Sequence, residues 1–409
     1  MRISHTLIVL FVACIGCQQI DESTPVPDIS EVAEAVKGSN RFALDLYQQL
    51  CTEEGNLFFS PGSLTIALTM TSAGAGDETA LEMTKTLRLE LPQDQLHDQM
   101  HSLQAFWKSS EQKQGIRLNL ANRLWGQDGY RFNPKFLRIT HDKYDAEIGA
   151  VDFAQPEASS RTINEWIENQ TEKRIRNLIP AEALSDSTRL VLTNAVYFHG
   201  NWSDPFMRDA TRDEEFHLTA TDSVTVPMMH RWDGFRYGAV DDLQLLELPY
   251  GDGSMSMTVF LPKETEGLPQ LESNLNIENL ERWIVSLKHE DDVRVYLPRF
   301  TTTAQFTLSS TLQAMGMKSA FDPMTADFSG IAEDEPIFIS AVIHKAFVEV
   351  NEEGTVAAAA TGDAAASAAM PETEPSVFRA DHPFLFMIRD TRNDAILFLG
   401  RMMNPLESS

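Results

Sequence analysis

Few residues of this 409-residue chain have types and spacings that could do chemistry. Cys14 and Cys17 show the C-x-x-C spacing of a redox pair, but they lie in an apolar leader with no fold around them, so the spacing is read as incidental. His97 and His101 stand four apart, which could place two imidazoles on one helix face as the start of a metal site. Among ten histidines such a pair arises by chance. There is no G-x-S-x-G, H-E-x-x-H or phosphate-loop pattern, so no enzyme, metal or cofactor is expected. The one segment of unusual composition is Val356 to Met370, in which nine of fifteen residues are alanine. It lacks the apolar stripe that would let a helix pack, and loops this long inside a compact domain are either functional or disordered. Small side chains suit a strand that slides into a tight slot, where each peptide gains about 1 kcal/mol net from ladder hydrogen bonds. They equally suit a floppy insertion.

Around that segment the pattern is ordered. Phe42, Ala43, Leu46, Tyr47 and Leu50 recur at helical spacing, as do Ile163, Trp166, Ile167, Thr171, Ile175 and Leu178. Val191 to Phe198 is apolar on both faces, which predicts a central strand covered above and below. Val293 to Leu297 alternates, and residues 341 to 350 read as another strand buried on both sides, with Val342, Ala346, Val348 and Val350 on one face and Ala341, Ile343 and Phe347 on the other. Phe384 to Ile388 and Ala395 to Leu399 flank a polar turn and predict a hairpin. Helices dominate the first half and strands the second, which points to an α+β fold with a large sheet. The net charge of -27 and pI near 4.7 argue against nucleic-acid or acidic-membrane partners and leave proteins or small molecules.

The N-terminus reads as an export signal over residues 1–16, with Arg2, the apolar run Leu7 to Ala13 and a small-residue site ending at Cys17. Cys17 after Gly16 resembles a bacterial lipoprotein processing site, which would lipidate Cys17. Cys14 stands where leucine is usual, so an ordinary secretory signal is the alternative. Residues 17–33 then form a tether and 34–409 one domain. Only Cys51 remains in that domain, so no internal disulfide is expected there.

Several motifs in consistent order resemble the serpin family over roughly residues 38 to 406. They are Asn56-Leu-Phe-Phe-Ser60-Pro61-Gly-Ser63, Asn164-Glu-Trp166 through Lys173, and Leu192-Thr-Asn194-Ala195 through Trp202. Glu247-Leu-Pro249-Tyr250, Leu297-Pro298-Arg-Phe300 and Ala326-Asp327-Phe328-Ser329-Gly330 follow. Then come His344-Lys345, Glu352-Glu353-Gly354-Thr355 running into the alanines, Arg379 to Phe384, and Gly400 to Pro405. The resemblance implies a serpin fold: a large, mostly antiparallel sheet, two further sheets, eight to nine helices and an exposed reactive-centre loop at about 354–377. It also implies a monomeric inhibitor that a target serine-type protease attacks, forming an acyl-enzyme. The cut loop then enters the sheet as a strand and strands the enzyme as a covalent complex. A serpin that has lost inhibition and works as a binding or chaperone-like protein is the alternative.

By the same resemblance Glu352, Glu353, Gly354, Thr355, Val356 and Ala357, Ala358, Ala359 and Ala360 form the hinge. Ser60, Ser63, Asn194 and His344 lie where the central strands part, with Trp202, Arg299 and Glu352 guarding the top of the slot. Two residues depart from the family pattern. Val356 stands where glutamate is usual, and Asp363 shares the inward face of Thr355, where an unpaired carboxylate costs several kcal/mol. Counting seventeen residues from Glu352 makes Ala368-Ala369 the scissile bond, suited to elastase- or subtilisin-like proteases. Counting back eleven from Pro383 gives Glu372 instead, next to Thr373. Met370 is disfavoured because Pro371 follows it.

Overall fold

The computed structural model describes residues 27–111, 115–332, 337–355 and 374–407. The leader with Cys14 and Cys17 lies outside the described residues, as does 356–373, which holds Val356, Ala357 to Ala360, Asp363, Ala368, Ala369, Met370, Glu372 and Thr373. The helices among the described residues are α1 (Ala33–Leu50), α2 (Pro61–Ser72), α3 (Asp77–Thr86), α4 (Gln93–Glu111), α5 (Pro134–Tyr144), α6 (Pro156–Gln170), α7 (Leu268–Ser273), α8 (Ile277–Ser286) and α9 (Ser309–Ala314). The strands are β1 (Leu57–Phe59), β2 (Ile116–Gln127), β3 (Gly149–Val151), β4 (Leu190–Asn201), β5 (Arg212–His217), β6 (Ser223–Val240), β7 (Leu243–Tyr250) and β8 (Met255–Pro262). They continue as β9 (Lys288–Pro298), β10 (Phe300–Thr307), β11 (Ile339–Val350), β12 (Gly354–Thr355), β13 (Ser376–Arg379), β14 (Phe384–Asp390) and β15 (Ile396–Met402).

The strands form two sheets. One has six strands in the order β10-β11-β4-β2-β3, with the short β12 against the end of β4. The other runs β1-β15-β14-β8-β7-β6-β9-β13, with β5 on β6. The two smaller sheets expected beside the main one thus run into each other. Strand β6 joins them: its first half pairs with β5 and its second with β7, while its ladder with β9 shifts register between Asp233 and Phe235. Phe384–Asp390 and Ile396–Met402 pair antiparallel, as the hairpin pattern predicts.

Strand β4 is apolar on both faces because it separates two cores. Leu190, Leu192, Val196 and Phe198 pack into the main core with α1 and α2. Val191 and Ala195 face a smaller core built with Ile163 and Ile167 of α6 and with Trp125 and Phe153. Helix α2 starts at Ser60, whose hydroxyl accepts the Ser63 N–H, and all twelve of its residues are buried. Strand β11 departs from the expected double burial: Val342 to Val350 are covered on the main-core face, but Ala341 and Phe347 on the other face are only half covered.

The stripe from Ile163 to Leu178 is not one helix. Helix α6 stops at Gln170, and Glu172, Lys173 and Asn177 adopt left-handed backbone that no α-helix continues. The Thr171 hydroxyl donates to the Ile167 carbonyl and accepts the Ile175 N–H, turning the chain into a strap. Ile175 and Leu178 still reach the small core, so the burial was legible even though the helix boundary was not. No helix among the described residues is long and apolar enough to cross a membrane. Cys51 is a free, half-buried thiol.

Candidate functional site

Most ladders in the six-stranded sheet are antiparallel, but its centre is not. Strands β4 and β11 run parallel, with His344 opposite Asn194 and Phe347 opposite Tyr197 as the last rung. Above that rung the chain leaves β11 and reverses at Asn351, and Gly354 and Thr355 settle antiparallel against Asn201 and Gly200 of β4. The mouth of the seam is therefore already occupied by the first two residues of a strand antiparallel to both neighbours. Gly354 has φ +138°, and a Cβ there would lie 2.1 Å from the Gly200 carbonyl oxygen, so only glycine fits.

The turn into this hinge is held residue by residue. The Trp202 indole N–H donates to the Asn351 carbonyl at 2.9 Å, and its ring stacks on Tyr250 at 4.5 Å. The Tyr250 hydroxyl meets the fully buried Thr355 hydroxyl at 3.1 Å. Backbone N–H groups of Trp202 and Phe206 donate to the carbonyls of Glu353 and Glu352. The Glu352 carboxylate accepts from Arg299 and, at 2.6 Å, from the Thr211 hydroxyl, while Arg208 holds Glu353. Burial pushes the Glu352 carboxyl up, but the Thr211 and Arg299 hydrogen bonds and the Arg299 charge outweigh it and leave it below the ordinary value.

Lower down, a polar cluster spans β11, β4 and β2 beneath the N-terminus of α2. The Ser60 N–H donates to His344 Nε2 at 3.0 Å, which makes Nδ1 the protonated nitrogen, and Nδ1–H donates to Asn194 Oδ1 at 2.5 Å. Asn194 Nδ2 donates to the Ser63 hydroxyl at 2.7 Å and to Asn122. Ser60 closes the cluster on the Leu397 carbonyl. The structure thus gathers Ser60, Ser63, Asn194 and His344 at mid-seam and Trp202, Arg299 and Glu352 at its mouth. His97 is buried against the Tyr144 hydroxyl and His101 bonds the Lys143 carbonyl, and no group of three metal-ligating side chains occurs among the described residues.

A family profile described as Serpin (serine protease inhibitor) matches residues 37–405. The chain belongs to the serpin family. It is 41% identical over 381 residues to human leukocyte elastase inhibitor, covering 90% of this chain and 98% of that one. It is 43% identical over 372 residues to an uncharacterised serpin-like protein of Thermococcus kodakarensis, covering 90% and 85% respectively. The structure of uncleaved ovalbumin superposes with a TM-score of 0.81 at 30% identity, covering 90% of this chain and all of that one. As a serpin the chain belongs to a family of protease inhibitors and is not itself an enzyme.

Two features of this serpin's seam escape the sequence reading. Asn122 bridges Ser63 and Asn194, and its signal is a polar residue in register with Leu118, Leu120 and Leu124. Arg174, on the strap after α6, lies over the rings of Tyr197 and Phe347 at 5.8 and 5.9 Å and reaches Glu349 at 3.7 Å. The strap also takes hydrogen bonds from both sides of the seam: Asn119 of β2 donates to the Gln170 carbonyl, and Lys345 and Gln305 to those of Arg176 and Leu178. Admitting a strand moves β4 and β11 apart by about 4.8 Å, so these bonds cannot all survive. On a mechanism in which the loop enters between β4 and β11, Arg174→Ala is expected to speed spontaneous insertion in intact protein at elevated temperature by about five- to tenfold, from the loss of about 1 kcal/mol of cation–π contact. Native gels resolving the inserted conformer follow the rate; an unchanged rate removes the strap as a clasp.

His344 sets an acid dependence. Burial lowers its pKa from 6.5 to about 3 against the opposing Asn194 hydrogen bond, so the folded protein holds it neutral. Unfolded chain takes up the proton near 6.5, so this contribution is complete above 6.5 and is lost as pH falls towards 3. Urea midpoints measured down this range fall for the wild type, and the slope is shallower in His344→Gln. An equal slope in that variant would put the acid sensitivity elsewhere.

Proposed function

We propose that this serpin traps serine-type proteases as covalent acyl complexes by inserting its cut loop between β4 and β11. The observation that carries the reading is the seating of Gly354 and Thr355, antiparallel to both strands, at the mouth of the parallel seam. A strand that continues from them replaces one parallel ladder with two antiparallel ones. It adds ladder hydrogen bonds worth about 1 kcal/mol each and exchanges the slightly weaker pairing for the stronger. The intact fold is then held short of a deeper minimum by the hinge contacts, the polar cluster and the strap.

Register supports the choice of bond. Thr355 opposes Gly200, so the same pairing continued downward brings Ala365 opposite Leu190, where β4 begins. Ala368 falls three residues beyond that point and Glu372 seven, so a cut at Ala368-Ala369 leaves the arm that matches the length of the seam more closely. Thr361 comes opposite Asn194 and Asp363 opposite Leu192. Asp363 thus enters an apolar rung, and among Thr355, Ala357, Ala359 and Thr361 it is the inward residue that opposes insertion.

Small residues at the cut favour proteases with a small pocket, of the elastase or subtilisin kind, and leukocyte elastase inhibitor is the name of a 41% identical relative. Export through the residue 1–16 leader, with lipid on Cys17, completes the reading; metabolic labelling with a fatty acid tests it, and unlabelled wild type excludes the anchor. Mixing purified protein with elastase, subtilisin and a glutamate-specific protease gives, on denaturing gels, a band near the summed masses. Mass spectrometry of the released C-terminal peptide reads the bond. Cleavage without that band supports the non-inhibitory alternative.

A further inference from the structure

Among the described residues β3 pairs with β2 only from Trp125 to Gln127, and the edge of β2 just before Trp125 borders a cavity of about 300 Å³. Ile66 and Met70 of α2, Leu120 of β2 and the rings of Tyr144 and Trp166 give this cavity apolar walls, and Arg123 stands in the lining with them. The Tyr144 hydroxyl is taken up by His97 at 2.6 Å. The Arg123 guanidinium lies 4.7 Å from the Trp125 ring and 5.0 Å from the Trp166 ring, and these two indoles meet edge to face at 5.7 Å. Its side chain is only 17% exposed, and its Nε is buried without a hydrogen-bond partner. Its ion pair with Glu147 is 3.8 Å long, too long for a hydrogen bond. Burial lowers the Arg123 pKa, and the opposing charge of Glu147, itself 82% exposed, does not make up the loss. A fixed, poorly neutralised guanidinium beside an apolar cavity is the pattern of a site for an anion with an apolar body.

We propose that this cavity binds a small carboxylate with a short aliphatic tail, a medium-chain fatty acid in class, with its carboxylate on Arg123 and its tail against Ile66, Met70 and Leu120. The other charged groups of the lining lie at its rim. Asp145 is largely exposed and held by Lys108 at 3.0 Å, and His141 is exposed and turned to Asp142 at 2.9 Å. Arg123 is therefore the charge of the lining that is set back from solvent. An incoming carboxylate displaces the exposed Glu147 and makes the paired hydrogen bonds to the guanidinium that Glu147 is too far away to make. The cavity has room for at least about ten groups of water size, and octanoate has about ten non-hydrogen atoms. Binding here needs neither a protease nor loop insertion, so it stands apart from the trapping reading.

Isothermal titration calorimetry of the full chain with octanoate, octan-1-ol and acetate separates the head of the ligand from its tail. Octanoate is expected to bind one per chain. Octan-1-ol, which supplies no charge to the pair, and acetate, which has no tail, are expected to bind at least about tenfold more weakly. Arg123→Gln weakens octanoate by about tenfold or more and leaves octan-1-ol unchanged. Glu147→Gln removes the competing carboxylate at the surface and tightens octanoate about threefold at low salt. That variant and the comparison with octan-1-ol carry the test if Arg123→Gln does not fold. Equal affinity of wild type for octanoate and octan-1-ol overturns the proposal, because the cavity is then apolar space in which Arg123 has no part. Absence of octanoate binding overturns it too, as does octanoate affinity that Arg123→Gln leaves at the wild-type value or that Glu147→Gln fails to raise.

Discussion

On the proposed trapping mechanism, Thr355→Arg is expected to turn the inhibitor into a substrate. Thr355 is fully buried opposite Gly200, with its hydroxyl on Tyr250, and it is the residue from which an inserting strand must continue. A guanidinium there would replace a buried hydroxyl bonded to Tyr250, and burying it unpaired costs several kcal/mol. The enzyme cuts the loop at an ordinary rate, but insertion no longer outruns hydrolysis of the ester. Each kcal/mol of lost insertion driving force shifts that competition several-fold, so stoichiometry rises on the order of a hundredfold. Thr355→Ser, which keeps the hydroxyl, stays close to wild type. Titrating a fixed amount of protease and counting covalent against cleaved product reads both, and efficient trapping by Thr355→Arg would contradict the inward placement of residue 355.

The second large effect comes from locking the seam. Tyr197 and Phe347 are partners on the last parallel rung, with ring centroids 6.0 Å apart on the face beneath the strap. Neighbouring strands lie about 4.8 Å apart, within the Cα separations a disulfide spans. Tyr197→Cys/Phe347→Cys, in a background without Cys14, Cys17 and Cys51, is expected to give no covalent complex when oxidised. Its loop is still cut, and reduction restores trapping. The reduced form is the internal control, since it carries the same cavity left by the two rings. Trapping by the oxidised protein would mean that the loop does not enter between β4 and β11.

Legibility in the sequence followed the range of the interactions. Strand β4 was readable because a run of eight residues apolar on both faces has one simple explanation, a strand between two cores. The β14–β15 hairpin was readable because its turn is local. The family motifs brought Ser60, Asn194 and His344 together on paper, and the structure places them within hydrogen bonds of one another. What could not be read was set by distant partners. Thr211 gives no sign in its own neighbourhood that it holds Glu352, 141 residues away. Arg174 looks like one more charge after a helix until the strap lays it over Tyr197 and Phe347. The end of α6 was misplaced because Ile175 and Leu178 keep a helical spacing while the left-handed backbone at Glu172 and Lys173 has already broken the helix. The merging of the smaller sheets depends on the length of β6 and its shift at Gly234, and neither has a periodic signature.

Stored energy in the parallel seam is best tested by melting the protein before and after a single cut in the bait loop, with both fragments retained. Two antiparallel ladders in place of one parallel ladder raise the melting temperature on the order of 20 °C. A nicked protein that melts at or below the temperature of the intact one would show that the seam accepts no strand.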